Sequence, residues 1–318
     1  MTVTTIEATY RVTTPMFCGG ADGGSAELRE ASFKGVLRFW WRACAWSHFD
    51  RRLERIREAE ASLFGSPQTG QSKVWVRLAP EVRMRPRPRS GAEALGRDGT
   101  RYLGLGLRAM DGSKVRDCLP APFDFTARLL CRDLDEARVR SVEDAVRALG
   151  MLGGMGARSR RGYGSLSLTR LRVDGEDRPV PSTPRDLDAA LRRLYEAAAP
   201  DLPEYTALSG QSRHLVLECG EVDAAEVLNL LGIEYAEYRR RARGTRWSGE
   251  LKGDYRIALE GKPSDAYPKR IAFGLPLNFA KGKLVRPAGH DRRASPLLFH
   301  IHWCESRAVA VVSFLPAR

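Results

Sequence analysis

The chain has no paired cysteines, few histidines and no long apolar run, and each shortage removes a class of protein. Its six cysteines stand singly at positions 18, 44, 118, 131, 219 and 304, with no C-x-x-C among them. That spacing excludes a zinc ribbon and a disulfide framework and predicts reduced packing residues. Five histidines are present in 318 residues. His300 and His302 share one face of an expected strand without a carboxylate pattern beside them, and His290-Asp291 is a lone dipeptide, so no metal ligand set and no cofactor is predicted. Apolar stretches never reach membrane-spanning length, and Met1 to Ile6 carry no basic stretch followed by an apolar one. The expectation is a cytoplasmic protein without a membrane partner. Nucleotide signatures are missing too. Gly154 and Gly156 are followed by Ser159 rather than by the third glycine of a dinucleotide fingerprint, while Gly261-Lys262 runs into Pro263 and Gly282-Lys283 into Leu284 instead of completing a Walker A loop.

Positive charge is what the chain has in excess. Fifty-two Lys and Arg against thirty-nine Asp and Glu leave a formal net charge of +13, which favours a polyanionic partner. A 43% hydrophobic content with six tryptophans and eleven phenylalanines is enough to bury a substantial core. The length suggests two domains of roughly 150 residues each.

The most informative segment is Gly150 to Gly164, which reads GMLGGMGARSRRGYG. Glycine allows the main chain to approach a ligand closely, and arginine offers both charge for phosphate and a flat plane for bases. Gly154, Gly156, Arg158, Arg160, Arg161 and Tyr163 are therefore read as a cradle for a phosphate backbone.

Periodicity places elements around this loop. Thr4 to Thr13 alternates as a strand, and a helix follows with Ser32 as candidate N-cap. Phe33, Leu37, Trp40 and Cys44 mark its apolar face, and Lys34, Arg38 and Arg42 stack four apart on another face, available to phosphate. A charged helix is expected from Arg51 to Phe64 and a strand from Lys73 to Leu78. Val82 to Arg101 reads as an extended excursion, and Tyr102 to Leu107 and Phe123 to Cys131 as strands. Asp135 to Leu149 is a helix leading into the glycine-rich loop, and Ser165 to Val173 is another strand. After the polar stretch from Asp174 to Pro184 come a connecting helix, Arg185 to Ala198, and then a strand from Arg213 to Cys219. A helix from Val222 to Leu231 follows, then strands at Arg270 to Phe279, Leu297 to Trp303 and Arg307 to Leu315. The order βαββαβ in the first half is the ferredoxin-like arrangement shared by RNA-recognition domains. The fold class expected is α+β, two tandem ferredoxin-like domains with insertions. Their boundaries are set at 1–180 and 206–318, joined by a segment at 181–205.

Two basic sets are candidates for RNA contact. Lys34, Arg38 and Arg42 on the first helix are expected to form one groove with Arg158, Arg160 and Arg161. A second run, Arg239, Arg240, Arg241, Arg243, Arg246 and Trp247, combines cations with an aromatic side chain suited to single-stranded RNA.

Several segments together resemble the repeat-associated mysterious proteins (RAMPs), and among them the first-numbered subunit of the type III-B CRISPR Cmr complex. The resemblance is carried by Thr14 to Ala21 (TPMFCGGA), Glu27-Leu28-Arg29, Ser32 to Arg42 (SFKGVLRFWWR), Leu63 to Ser66 (LFGS), Tyr102 to Leu107 (YLGLGL) and the loop from Gly153 to Ser165. Ala272 to Leu277 and Asp291 to Leu297 extend it into the second half, whereas Arg185 to Arg256 shows little of it. The resemblance implies tandem ferredoxin-like domains and a place in a ribonucleoprotein with a guide RNA, a complementary target RNA and other Cmr subunits as partners. It also implies a non-catalytic role, capping the 3′ end of the guide. Base pairing supplies sequence recognition in guided systems, so the protein needs to hold backbone rather than read bases. The rival reading is a metal-independent endoribonuclease that processes guide RNA, because related RAMP proteins use a histidine as acid or base. His48 is its first candidate, although helical phase places it on the buried side with Phe33, Leu37 and Cys44. Asp22, in the loop from Gly19 to Gly24, is a weaker candidate, for positioning a metal in RNA cleavage.

Overall fold

The computed structural model describes residues 2–20, 25–80, 86–109, 111–240, 254, 268–278, 282 and 284–318. Asp22, Arg241, Arg243, Arg246 and Trp247 lie outside these residues, as does the start of the expected excursion from Val82. The first half contains β1 (Val3–Val12), α1 (Glu30–Ala45), α2 (Leu53–Phe64), β2 (Val74–Pro80), β3 (Arg89–Ser90), α3 (Asp98–Leu103) and β4 (Asp117–Cys118). It continues with β5 (Phe123–Arg132), α4 (Glu136–Leu152), β6 (Leu166–Val173) and β7 (Glu176–Arg178). Then follow α5 (Pro184–Glu196), β8 (Arg213–Glu218), α6 (Ala224–Arg240), β9 (Leu277–Asn278), β10 (Leu284–Val285), β11 (Leu297–Cys304) and β12 (Arg307–Phe314).

The main sheet has the order β2-β5-β1-β6-β7, with antiparallel pairing throughout. Alternation in β1 buries Ile6, Ala8, Tyr10 and Val12 completely, because successive side chains point to opposite faces of a strand. On that face lie α1 and α4. Phe33, Leu37, Trp40 and Trp41 recur at helical spacing and are all buried. Val139, Val142, Val146 and Leu149 do the same on α4, whose first turn is capped by Asp135 accepting from the Arg138 amide at 2.8 Å. Between the layers, Tyr10 stacks on Phe125 with centroids 5.6 Å apart and donates its hydroxyl to the Val146 carbonyl at 3.0 Å. Such fully buried large side chains each stabilise by about 2–3 kcal/mol.

The two helices are also tied by a hydrogen bond from Trp41 Nε1 to Ser141 Oγ at 3.0 Å. Ser141→Ala leaves the indole N–H without this acceptor at a part-buried position and is expected to lower unfolding free energy by about 1 kcal/mol. Urea unfolding of the two proteins measures this, and a difference below the error of the fit would show the bond to be unimportant.

The second half has a three-stranded antiparallel sheet, order β11-β12-β8. Helix α6 packs Val227, Leu228 and Tyr235 into a second core with Phe299 and Ile301 of β11. Helix α5 begins in a capping box, with Thr183 accepting from the Asp186 amide and Asp186 from that of Thr183. Its buried residues Leu187, Leu191 and Tyr195 join the first core, alongside Val309 and Val311 of β12.

Several local expectations are corrected. Helix α1 begins at Glu30, and its N-cap position is Arg29 without a side-chain cap, so Ser32 lies inside the helix. Tyr102 to Leu107 is the end of α3 and a turn rather than a strand. Leu103 and Leu107 are buried in the core shared with α6 and Tyr102 meets the Tyr235 ring edge-on at 6.0 Å, while Leu105 is exposed. The described part of the Val82 to Arg101 excursion holds β3, a short 3₁₀ turn at Glu93–Leu95 and the start of α3. Lys269–Phe273 is likewise a 3₁₀ turn, and the described remainder of the expected strand pairs in two short pieces, Leu275 bridging Arg293 and Leu277–Asn278 pairing with β10. Helix α6 runs well past Leu231, to Arg240. His48 is exposed: α1 ends at Ala45 and a turn follows, so helical phase cannot be extended to it.

Candidate nucleic-acid interface

The glycine-rich loop sits where the two halves meet. Its ends are pinned by the Met155 amide donating to the Gly164 carbonyl at 2.9 Å and the Gly164 amide donating to Pro15 at 3.0 Å. The Ala157 amide donates to the Phe17 carbonyl at 2.8 Å, and Thr14 Oγ1 to the Gly162 carbonyl at 2.6 Å. From the other half, the Phe299 amide donates to Arg160 at 3.1 Å and the Ile301 amide to Ser165 Oγ, also at 3.1 Å. Gly156 and Gly164 are required here. Both have positive φ, 96° and 60°, and an added Cβ would fall 2.7 Å from the Phe17 carbonyl oxygen and 2.1 Å from that of Met155. Tyr163 is wholly buried, donating its hydroxyl to the Thr100 carbonyl at 2.7 Å and meeting Phe17 edge-on. It anchors the loop and offers no surface to a ligand.

The three arginines of the loop occupy different environments. Arg158 is exposed and has φ 63°, a left-handed conformation that costs a side-chain-bearing residue about 1–2 kcal/mol. Partial loss of hydration against the neighbouring hairpin, and secondarily the charge of Arg116, pull its pKa below the ordinary value. Arg160 is half-buried, with its guanidinium 5.1 Å from the Phe39 ring centre and Nη1 donating to the Ser295 carbonyl at 3.2 Å. Arg161 is drawn inward, lying 4.9 Å from the Tyr235 ring centre and 5.4 Å from that of Phe299. Among the described residues no carboxylate pairs with Arg158, Arg160 or Arg161. Their charge is left uncompensated, as suits a phosphate site.

The α1 stripe does not share a groove with these arginines in the way its spacing suggests. Arg38 Nε donates to Glu60 Oε1 at 2.7 Å, and Arg42 Nη1 reaches the same oxygen at 2.5 Å. Glu60 is a buried residue of α2, so this face of α1 turns to α2. Burial and the adjacent Arg38 lower the Lys34 pKa. A different face of the helix meets the loop. Ser32, Gly35, Val36 and Phe39 flank a recess of about 350 Å³ whose far side is Gly153, Gly154, Ser159, Arg160 and Leu298.

The elements beside the loop also carry cations that motif reading passed over. Residues 107–116 form a hairpin against the loop, with Arg108, Lys114 and Arg116 exposed. Their signal in the sequence is faint, because a basic turn acquires significance only through what lies next to it. On the opposite side of the loop, His300 and His302 are buried, His300 Nδ1 lying 2.8 Å from the Gly153 carbonyl and Nε2 3.1 Å from His302 Nδ1. They make a structural clamp. No group of three or more potential metal ligands gathers among the described residues, and no described helix is long and apolar enough to cross a membrane.

The RAMP superfamily model matches residues 9–167. Two relatives from Pyrococcus furiosus share sequence with the chain. The CRISPR system Cmr subunit Cmr1-2 is 32% identical over 175 residues, covering 50% of this chain and 92% of that protein. Subunit Cmr1-1 is 26% identical over 288 residues, covering 86% of this chain and 76% of that one. Among solved structures, apo Cmr1 from Pyrococcus furiosus aligns over 100% of this chain and 89% of its own, with a TM-score of 0.66 and 21% identity. A chain of the type III-B Cmr-beta complex bound to cognate target RNA aligns over 99% and 94%, with a TM-score of 0.62 and 12% identity. These likenesses show a shared mixed α/β fold. The family match runs from β1 through the glycine-rich loop into β6, and the chain belongs to the RAMP superfamily, resembling the Cmr1 subunit of type III-B systems.

Proposed function

We propose that this chain is a non-catalytic RNA-binding subunit of a type III-B Cmr effector complex in the cytoplasm. It holds the backbone of a guide RNA at its 3′ end and helps to seat the complementary target. The carrying observation is Arg158: an exposed cation held in a left-handed conformation on a doubly pinned glycine-rich loop, with no carboxylate paired to it among the described residues. Such strain at a non-glycine residue is characteristic of functional positions. The relatives named as Cmr subunits, and the fold shared with a chain of a Cmr complex bound to target RNA, support the same partners.

The halves at 1–180 and 206–318 are read as a tandem of ferredoxin-like units. The first has the order βαββαβ with β1 flanked by β5 and β6, and the second is the smaller sheet covered by α6. Gly154 and Gly156 bring backbone to the RNA, and Arg160 lines the adjoining recess. Arg161 and Tyr163 support the loop from beneath. Lys34, Arg38 and Arg42 contribute to the field rather than to the grip, since Glu60 already holds two of them.

Equilibrium binding of the full chain to a fluorescent single-stranded RNA, repeated over a salt series, tests this. For about four phosphates contacted, log affinity falls against log salt with a slope near −2.8. Binding that does not respond to salt would remove the phosphate grip. Incubation with labelled guide precursor supplies the second readout. Cleavage abolished by His48→Ala would replace the reading with a nuclease.

A further inference from the structure

The hairpin at residues 107–116 is built beside the glycine-rich loop and is not absorbed by the cradle described above. Its ladder is closed by the Arg116 amide donating to Leu107 at 3.0 Å and the Ala109 amide donating to Lys114 at 2.8 Å, with Arg108 opposite Val115. Its base is fixed: Leu107 is buried and the Gly91 amide donates to the Arg116 carbonyl at 3.1 Å. Arg158 leans on this base. A Cβ added at Gly106 would come within 2.7 Å of Arg158 Nη2, so the guanidinium lies over the residue next to the Leu107–Arg116 pair.

Lys114 and Arg116 are two residues apart on one strand and therefore share a face, with side chains about 7 Å from each other. Arg108, opposite Val115, belongs to the other face. The hairpin's one carboxylate, Asp111, is occupied at the tip by the Ser113 amide at 2.9 Å and hydroxyl at 2.6 Å. None of Arg108, Lys114, Arg116 and Arg158 pairs with a carboxylate among the described residues. Like charges crowded at one point of a fold, without counter-charge, are retained at a cost that a bound polyanion removes.

We infer that Lys114 and Arg116 continue the track begun by Arg158, so that a single strand of RNA leaving the glycine-rich loop lays successive phosphates along one face of this hairpin. The proposal rests on the RNA-binding reading above, with the ligand class deepened to a sequence-independent, extended single strand. The spacing of the two side chains follows a strand repeat and has no preference for a base. Arg108, facing away, takes no part.

The test uses the full chain and a fluorescent 12-nucleotide oligouridylate, titrated over a salt series. It compares unmodified protein with Lys114→Ser/Arg116→Ser, Arg108→Ser and Arg158→Gly, each checked for an unchanged thermal transition. The double variant is expected to weaken binding at least tenfold and to reduce the salt slope by about 1.4, with Arg108→Ser within twofold of the unmodified chain. Lys114→Glu alone, at an exposed position, supplies a second variant should the double one fail to fold, and is expected to weaken binding severalfold. Unchanged affinity and slope in the double variant, with Arg158→Gly impaired, overturns the hairpin track and leaves the loop reading standing. A loss as large for Arg108→Ser as for the double variant overturns the one-faced path. Impairment of the hairpin variant alone, with Arg158→Gly unaffected, overturns a track that starts at the loop, and absence of salt-sensitive binding by unmodified protein overturns both.

Discussion

Arg158→Gly is expected to weaken single-stranded RNA binding about tenfold, a change of about 1.4 kcal/mol, while leaving the protein at least as stable as before. The two halves of that expectation have opposite physical origins. Arg158 stands at φ 63°, where glycine has no steric penalty and arginine does. Glycine relieves the strain but adds conformational freedom to the unfolded chain, so the net gain is confined to about 0–1 kcal/mol. Loss of the guanidinium removes one phosphate contact, and the salt slope should shrink by about 0.7. Thermal unfolding and a salt-dependent titration on the same preparation measure both. An arginine serving only the fold would give the reverse pattern, with stability falling and RNA affinity unmoved. Arg158→Ala separates strain from charge: it loses the charge while keeping a side chain at positive φ, so it should bind as poorly as the glycine variant and melt lower.

Acid is expected to loosen the joint between the halves well before carboxylates titrate. Burial holds His300 near a pKa of about 4, and burial together with His300 takes His302 well below the usual imidazole value. Burial explains the neutral form, and the hydrogen bond to Gly153 opposes it only in part. With Nδ1–H donating to the Gly153 carbonyl, His300 Nε2 must accept, and His302 Nδ1–H is the donor it accepts from. A proton on His300 Nε2 would place an imidazolium charge in the core and require His302 to give up its Nδ1 proton. The unfolded chain takes up its proton near pH 6.5, while the folded chain refuses it until about pH 4. Stability is therefore full above pH 6.5 and falls progressively toward pH 4, by about 3 kcal/mol for His300. Carboxylates with depressed pKa, such as Asp186 and Asp188, act mainly below their unfolded value of about 3.9 and occupy a lower window. Urea unfolding at pH 7, 5 and 4 should trace the decline, and His300→Asn, which keeps an amide donor for Gly153, should flatten it. A wild-type protein equally stable at pH 7 and pH 4.5 would show that the pair is not held neutral by the fold.

Much of the first half was legible because its signals are local. The alternation of Thr4 to Thr13, the four-residue spacing of Phe33, Leu37 and Trp40, and the Asp135 cap before a periodic run all specify an element whatever surrounds it. The glycine-rich loop was legible for the same reason: a backbone that turns through positive φ at Gly156 and Gly164 needs glycine there. Tyr102 to Leu107 misled because β-type residues beside glycines fit a strand or a helix end equally, and burial against α6 decides between them. His48 misled because helical phase has meaning only while the helix continues.

The site divides along the same line. Which residue types gather near the loop was written in the chain itself, as glycines, arginines and the motifs that mark a RAMP protein, since composition and order are covalent properties. Tertiary structure alone decided the use of each one: Arg158 to solvent, Arg160 over Phe39, Arg161 between aromatic rings, Arg38 and Arg42 to Glu60, and the hairpin of residues 107–116 beside them all. A guanidinium binds whichever partner the packed fold brings within reach, and that partner can be many residues away along the chain.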